Sequence, residues 1–381
     1  MQTASTTEID DIDDALGEIL GQLDLDGLGR SSAGILFSCY EFIETGVVGA
    51  LCERLPFDVI GMTTIASASG GDSGMYRLCL AVLTSDVVSF EASVTPPLSV
   101  DNYDGEIRAA YRRAREKLPG TPSFIISFFP FSEEISGADI MKSFNGTCGD
   151  VPIWGSVASG MDMTYEHCRT LWSAGVDRTV LAMLLIHGPI EPEFIVTSIP
   201  GRNIRDSSAI ITESEGCVIK KVNGMRFDKY LESVGFVVRN IRDSTTVPLM
   251  ISYGDGAKPV AVGIYYIRDD GSALCGGETP QDSVLVLGRI DRDGVIETAR
   301  ESMELAMAYG KKNGMLLLPC VTRYIMLAPR HEEEMQLILE AVAGKIPYMM
   351  GYSGGEVCPM RGADGKYHNH YHNYTFSACV F

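Results

Sequence analysis

The chain has 381 residues, of which 45% are hydrophobic and 21% are charged. This composition supports a large core spread over two domains and excludes a mainly disordered chain. The formal charge of −19, without any run dense in lysine and arginine, argues against a nucleic-acid partner and an anionic membrane surface. No apolar run is long enough to span a bilayer, and the ten scattered cysteines form no Cys-x-x-Cys pair. We therefore expect a cytoplasmic protein.

One pattern occurs three times along the chain. A segment with helical spacing precedes an apolar strand, and a second such segment leads to a strand that breaks at Gly followed by Ser or Thr. The first copy begins with an acidic helix, predicted over residues 8–24. The strand pairs of the three copies are 34–39 with 58–64, 123–128 with 151–156, and 314–320 with 347–353. Strand-helix-strand units favour parallel pairing, and small polar loops at strand ends are common ligand sites.

Further strands surround these copies. The first two copies continue into strand pairs that predict antiparallel additions: 76–88 with 89–95, and 179–187 with 193–199. From residue 200 to 292 the pattern changes to strands separated by glycine-containing turns. We predict an α/β fold of mixed β-sheets with helices on the outer faces, helix-strand-helix-strand repeats and two domains. The N-terminal domain covers 1–205, with the acidic helix packed on it, and the C-terminal domain, 206–381, combines a strand meander with the third copy.

Several short motifs follow one another in a fixed order: 155–160 (Gly-Ser-Val-Ala-Ser-Gly), 217–224, 320–323 (Cys-Val-Thr-Arg), 351–359 (Gly-Tyr-Ser-Gly-Gly-Glu-Val-Cys-Pro) and 372–375 (His-Asn-Tyr-Thr). Together they resemble the FIST family of bacterial sensory domains, over roughly residues 34–381. The resemblance implies binding of a small ligand, proposed to be an amino acid or a relative. It also implies signalling to a partner in trans, such as a kinase, a chemotaxis receptor or a cyclic-dinucleotide enzyme. Some members are reported to bind haem and sense nitric oxide, so haem is the alternative cofactor.

Arg323 is the leading candidate for ligand recognition. A guanidinium fixed after a buried strand can hold a ligand carboxylate through two parallel hydrogen bonds. Glu356 then either receives a ligand ammonium or holds Arg323 in a structural ion pair. The other candidates lie at the strand ends or in the family ending: Thr63, Thr64, Ser156, Cys320, Ser353, His372 and Asn373. Their alternative roles are turn formation for the hydroxyl residues, buried packing for Cys320, and support of the 351–356 loop for His372 and Asn373.

Two further patterns point to other chemistry. His368, His370 and His372 alternate, so on a strand they would share a face as metal ligands do, but no second Cys/His group accompanies them and we expect no metal. Residues 351–355 match Gly-x-Ser-x-Gly, yet a nucleophile elbow needs a helix after its serine, and residues 358–365 predict a turn. We predict a sensory protein without catalytic residues. A haem-based gas sensor and an enzyme using the same cleft remain the alternatives.

Overall fold

The computed structural model describes residues 1–129, 131–132, 134–160, 165–238, 241–310 and 313–381. The strands in this part of the chain, numbered β1 to β26, are Gln2–Thr6, Ser31–Ser38, Asp58–Thr63, Ser67–Ser69, Asp72–Gly74, Leu78–Ser85, Ser89–Val94, Phe124–Phe129, Ile153–Val157, Thr170–Trp172, Gly175–Asp177, Ala182–His187, Glu193–Thr197, Ile204–Glu215, Val218–Val222, Met225–Arg226, Leu249–Ser252, Val260–Val262, Ile264–Ile267, Ala273–Cys275, Val284–Gly288, Met315–Pro319, Tyr348–Gly351, Glu356–Arg361, Tyr367–His372 and Phe376–Val380. The helices, α1 to α10, are Ile12–Gly21, Glu41–Glu44, Val47–Arg54, Tyr103–Lys117, Gly137–Cys148, Phe227–Ser233, Ile241–Ser244, Arg292–Ala308, Val321–Met326 and Glu332–Val342.

The three sequence copies fold into the same unit. Each has two parallel strands joined through a helix, and an antiparallel strand beside the first: β2-α3-β3 with β6, β8-α5-β9 with β12, and β22-α10-β23 with β26. Helices α1, α4 and α8 precede the three units. The parallel strands are buried on both faces, which explains their nearly continuous apolar runs. The predicted α/β fold with mixed sheets and repeated units is confirmed.

Neighbouring units exchange strands in a cycle. The hairpin that follows the second parallel strand of each unit pairs with another unit: β4-β5 with β23, β10-β11 with β3, and β24-β25 with β9. The predicted pairing of 76–88 with 89–95 and of 179–187 with 193–199 is wrong. Strand β6 already has β1 and β2 on its two edges, and β12 has β7 and β8, so β7 and β13 join the sheets of the following units.

Three sheets face a common apolar core, and helices cover their outer sides. Phe37, Phe128 and Leu316 come from the three different sheets and belong to this central core. On the outside, α1 and α3 pack on the first sheet, α4 and α5 on the second, and α8 and α10 on the third. The side chain of Asp11 caps α1 by accepting hydrogen bonds from two backbone N–H groups, and Leu16 is among the residues that α1 buries. The acidic residues of this helix stay on its outer side.

The region between β13 and α8 forms a small barrel. Its strand order is β18-β17-β21-β14-β15-β20-β19. Strands β18 and β19 stand at opposite ends of this order but are separated in the chain only by Gly263, so the sheet closes on itself. The barrel has its own apolar core, which includes Phe227 of α6. The domain boundary at 205/206 stays a prediction. Strand β13 lies before it but pairs with β26, so sheet hydrogen bonds cross it.

Gly155 in β9 is a position where the close approach of two parallel strands requires glycine. A Cβ there would lie 1.8 Å from the carbonyl oxygen of Ser127 on β8. Backbone cannot move aside as a side chain does, so we expect Gly155→Ala to lower the free energy of unfolding by about 3 kcal/mol or more in urea denaturation. The control is Gly74→Ala, in a strand where a Cβ meets no atom within 4 Å. Equal stability of the two variants would contradict this packing.

Candidate functional site

The turns after β3, β9 and β23 meet and hydrogen-bond to one another. The backbone N–H of Ser159 donates to the carbonyl oxygen of Thr63 at 3.0 Å. The hydroxyls of Thr64 and Ser159 both donate to the carbonyl oxygen of Tyr352, at 2.8 and 2.7 Å. The three repeat loops therefore converge. They fasten the units together by direct contacts instead of presenting their hydroxyl groups to open space.

The hydroxyl candidates on the first two turns are buried and already have protein partners. Thr63 Oγ1 accepts a hydrogen bond from the backbone N–H of Arg169 at 2.9 Å. Ser156 Oγ donates to the carbonyl oxygen of Val157 at 2.6 Å. With Thr64 bonded to the third turn, all three hydroxyls have structural roles here. Their role in ligand binding stays a prediction that the geometry does not favour.

Arg323 is completely buried, and the protein uses all of its hydrogen-bond donors. Its Nε and Nη2 atoms donate to Glu334 Oε1 at 2.8 and 2.6 Å. Nη2 also donates to the carbonyl oxygen of Val295 at 2.8 Å, and Nη1 donates to Thr298 Oγ1 at 3.1 Å. Two carbonyl oxygens at 3.4 Å complete the shell of Nη1, those of Ser198 and Tyr374. No N–H of this guanidinium is left for a ligand carboxylate.

The structural ion-pair partner expected for Arg323 is corrected by these contacts. The partner is Glu334 on α10, not Glu356, and both side chains are fully buried. The second oxygen of Glu334 accepts a hydrogen bond from the Tyr352 hydroxyl at 3.0 Å. The carboxylate therefore joins α9, α10 and the end of β23. The sequence did not single out Glu334, because it is one of three consecutive glutamates at the start of an amphipathic helix.

Glu356 is the buried acid of a second polar cluster. The Ser353 hydroxyl donates to its Oε1, and the backbone N–H and hydroxyl of Thr375 donate to its Oε2 at 3.2 and 2.6 Å. The Cys320 thiol also hydrogen-bonds to this carboxyl group. These donors lie at the ends of β22, β23 and β26, and Cys320 is bridged to Ser353 in parallel register. The structure thus brings together three of the predicted site residues: Cys320, Ser353 and Glu356.

Three tyrosines surround this acid. The hydroxyl of Tyr371 faces Gly355, where a Cβ would lie 1.9 Å from it, and the Gly355 φ of 155° also favours glycine. A Cβ on Gly354 would lie 3.4 Å from the Tyr165 ring. Tyr265 of β19 hydrogen-bonds to Tyr371, and Tyr165 stacks on Phe131 with ring centroids 3.9 Å apart. We name this site the Glu356 pocket, formed by Tyr165, Tyr265, Ser353, Glu356 and Tyr371.

The acid at the centre of the Glu356 pocket is fully buried. Glu356 and Tyr371 are buried, and Tyr165 and Tyr265 are partly buried. Burial raises the pKa of Glu356 to about 7, although the Ser353, Thr375 and Cys320 donors favour its charged form. Burial also raises the pKa of Cys320 and of the three tyrosines, so these groups are neutral near pH 7. The carboxyl group is therefore the pocket residue that titrates near neutrality.

His372 and Asn373 support the structure around the pocket. His372 donates from Nε2 to the carbonyl oxygen of Cys358 at 3.0 Å, and burial lowers the pKa of its imidazole to about 3, so it is neutral. Asn373 Oδ1 accepts a hydrogen bond from the N–H of Gly263 at 2.9 Å. The expected hydrogen bonds from these two side chains to the 351–356 loop are wrong, because His372 bonds to Cys358 in β24 and Asn373 holds the barrel. Thr375 supports Glu356 instead.

The alternating histidines lie on β25, but each has a different protein partner. His368 contacts Asp364 at 3.1 Å, and His370 contacts Asp255 at 2.7 Å. His372 is occupied by the Cys358 carbonyl group. Within the described ranges, no group of three or more His, Cys, Asp or Glu side chains is arranged to hold a metal ion.

The Gly-x-Ser-x-Gly match lacks the local structure of a nucleophile elbow. Ser353 is followed by strand β24, not by a helix. The turn predicted at residues 358–365 is wrong for its first half. Strand β24 continues to Arg361 there and pairs with β25. Pro359 fits there because β24 pairs with β9 only at Glu356 and Val357.

Thus an α/β protein of three strand-exchanging units, with a barrel between β13 and α8, holds a buried acid with tyrosines near it. A family model described as the FIST N domain matches residues 32–225, and one described as the FIST C domain matches residues 227–359. The chain belongs to the FIST family, whose domains are generally small-ligand sensory domains. No curated protein matches the chain. Within the described part of the chain, no helix is both long and apolar enough to cross a membrane.

Solved structures of cyanuric acid hydrolases are distantly similar. One, described as an evolutionary innovation by structural concatenation, has a TM-score of 0.36 and 9% identity, with coverage of 100% of this chain and 98% of that one. Another, from A. caulinodans, has a TM-score of 0.37 and 10% identity, with coverage of 99% and 97%.

No sequence motif pointed to the tyrosines of the Glu356 pocket. Tyr165, Tyr265 and Tyr371 are about one hundred residues apart and lie in a loop, in the barrel and in a hairpin of the third unit. Only the strand exchange and the closed barrel bring them together. A usable sign was present for Thr375, which ends the His-Asn-Tyr-Thr motif and holds Glu356.

Proposed function

We propose that this chain is a cytoplasmic sensory protein that binds a small ligand in the Glu356 pocket. The observation that carries the proposal is a fully buried carboxyl group, with a pKa of about 7, that accepts hydrogen bonds from neutral hydroxyl, thiol and backbone donors. Buried acids without an ion-pair partner cost free energy, and they concentrate at functional sites. Arg323 is a poorer candidate for ligand binding, because its hydrogen-bond donors are all used inside the protein.

The ligand class we propose is an amino acid or a related amine. An ammonium group can pair with Glu356, and aromatic rings attract cations through their faces. Among the described residues, Glu356 has no ion-pair partner of its own. A bound ammonium would therefore supply the missing positive charge.

Residues 373–375 connect Glu356 to the barrel. Thr375 holds Glu356, and two residues earlier Asn373 bonds to the Gly263 bend between β18 and β19. The backbone N–H of Asn373 also donates to the carbonyl oxygen of Ala261 at 2.8 Å. We propose that a ligand with different affinities for two positions of this segment shifts the barrel surface and signals to a partner protein in trans.

The binding site is tested by a matched pair of tyrosine variants. Tyr265 lies in the pocket, whereas its neighbour Tyr266 on β19 is 51% exposed. Amino acids and amines are first screened by thermal shift, and the hits are titrated by calorimetry. We expect Tyr265→Ala to weaken the affinity at least about tenfold and Tyr266→Ala to leave it unchanged. Equal affinities for both variants would place the ligand elsewhere.

An enzyme using the same pocket is the second candidate, favoured by the near-neutral pKa of Glu356. NMR spectra of a bound compound, recorded over hours, distinguish an enzyme, which converts the compound, from a protein that only binds it. Turnover that disappears in Ser353→Ala would support the enzyme. A haem-based sensor is the third, and purified protein that shows no haem absorption band after haem is added would remove it.

A further inference from the structure

We propose that the Glu356 pocket selects an organic amine over the amino acid that carries the same side chain. This inference rests on the proposed function of the pocket and concerns the charge of the ligand. It reverses the expectation of a zwitterion held between Arg323 and Glu356.

The first argument is the charge of the pocket wall. In the described part of the chain, the groups that hydrogen-bond Glu356 are hydroxyl, thiol and backbone donors, all of them neutral. The leading electrostatic influences on Tyr165, Tyr265 and Tyr371 come from one another, from cysteines and from Glu356. The pocket thus presents one acid and no guanidinium or ammonium group among these contacts.

The second argument is the position of Arg323. Its Nη1 donates to the carbonyl oxygen of Tyr374 at 3.4 Å, and Tyr374 directly precedes Thr375, which binds Glu356. Its charge is neutralised by Glu334 in a fully buried pair. A ligand carboxylate in the Glu356 pocket would therefore meet the acid without a cation to offset the repulsion.

The third argument is the aromatic surface. Tyr165 and Tyr265 are partly buried residues, and the hydroxyl of Tyr371 lies against Gly355. Tyrosine faces attract ammonium groups, and this attraction increases when the cation loses water. One carboxyl group with three phenol rings therefore suits a primary or methylated amine.

The experiment compares matched ligand pairs by calorimetry on the full chain: tyramine with tyrosine, phenethylamine with phenylalanine, histamine with histidine, and putrescine with ornithine. In at least one pair we expect the amine to bind about tenfold or more tightly than the amino acid. Equal or tighter binding of the amino acid in every pair that binds overturns the preference and leaves the proposed function standing. Absence of binding in both series, when the broader screen also finds no ligand, overturns both.

Two measurements link the preference to Glu356. In Glu356→Gln we expect the ratio of amine to amino-acid affinity to fall to about one, with Tyr266→Phe as the control. A preference that persists in Glu356→Gln overturns the assignment to this carboxyl group. Should this variant not fold, titration of the wild type near pH 6.5 in two buffers of different ionisation enthalpy gives the second readout. An amine that pairs with Glu356 releases protons on binding, because Cys320 and the three tyrosines are neutral there, and no proton release overturns the assignment.

Discussion

Replacing Arg323 with methionine is expected to lower the free energy of unfolding by about 3–5 kcal/mol. The variant leaves the carboxylate of Glu334 buried without its cation, and it also removes the hydrogen bonds that Arg323 donates to the Val295 carbonyl group and the Thr298 hydroxyl. Urea denaturation at neutral pH measures the change. The double variant Arg323→Met, Glu334→Leu should recover part of the loss, because it removes both buried charges.

A surface ion pair that also involves α10 serves as the control. Arg292 of α8 contacts Glu333 of α10, and both side chains are partly exposed. We expect Arg292→Met to cost less than about 1 kcal/mol, since solvent screens this pair. A cost for Arg323→Met no larger than that of Arg292→Met would show that the buried pair does not hold α9 and α10 together.

Glu356→Gln is expected to change how stability depends on pH. In the folded protein the pKa of Glu356 is about 7, compared with an ordinary value of 4.5. Between these values the folded state keeps a proton that the unfolded state has released, so the stability due to this group falls as pH rises. The total loss is about 3 kcal/mol, from 1.36 kcal/mol for each unit of pKa.

The measurement is the difference in free energy of unfolding between wild type and Glu356→Gln, at about pH 4 and about pH 8. Other carboxyl groups titrate in both proteins and cancel in this difference. We expect wild type to lose about 3 kcal/mol relative to the variant over this range. A difference that is the same at both pH values would show that Glu356 titrates normally and is not a buried functional acid.

The repeated units could be predicted because they depend on local patterns. Apolar strands of five or six residues, followed by helical spacing, specify a strand-helix-strand unit wherever they occur. The exchange of strands could not be predicted in the same way. Strand β1, Gln2–Thr6, has no apolar run, and it forms because β6 offers a free edge. Its presence redirects β7 to the next sheet.

The candidate site was predicted in part. The family motifs named Ser353, Glu356 and Cys320 as separate candidates, and the structure joins them through hydrogen bonds and one bridge. For Arg323 the sequence allowed two roles, binding a ligand carboxylate or forming a structural ion pair. Only the position of α10 in the structure shows the ion pair with Glu334. The sequence carries no local pattern for a contact between a helix terminus and a glutamate on the next helix.

The central claim is that Glu356, and not Arg323, faces the ligand. A crystal structure of the chain with a bound amine tests it most directly. We predict the ligand nitrogen at about 3 Å from a Glu356 oxygen, beside the rings of Tyr165 and Tyr265, with the Arg323–Glu334 pair intact. A ligand whose acidic group binds the guanidinium of Arg323, with Glu334 displaced, would contradict the account.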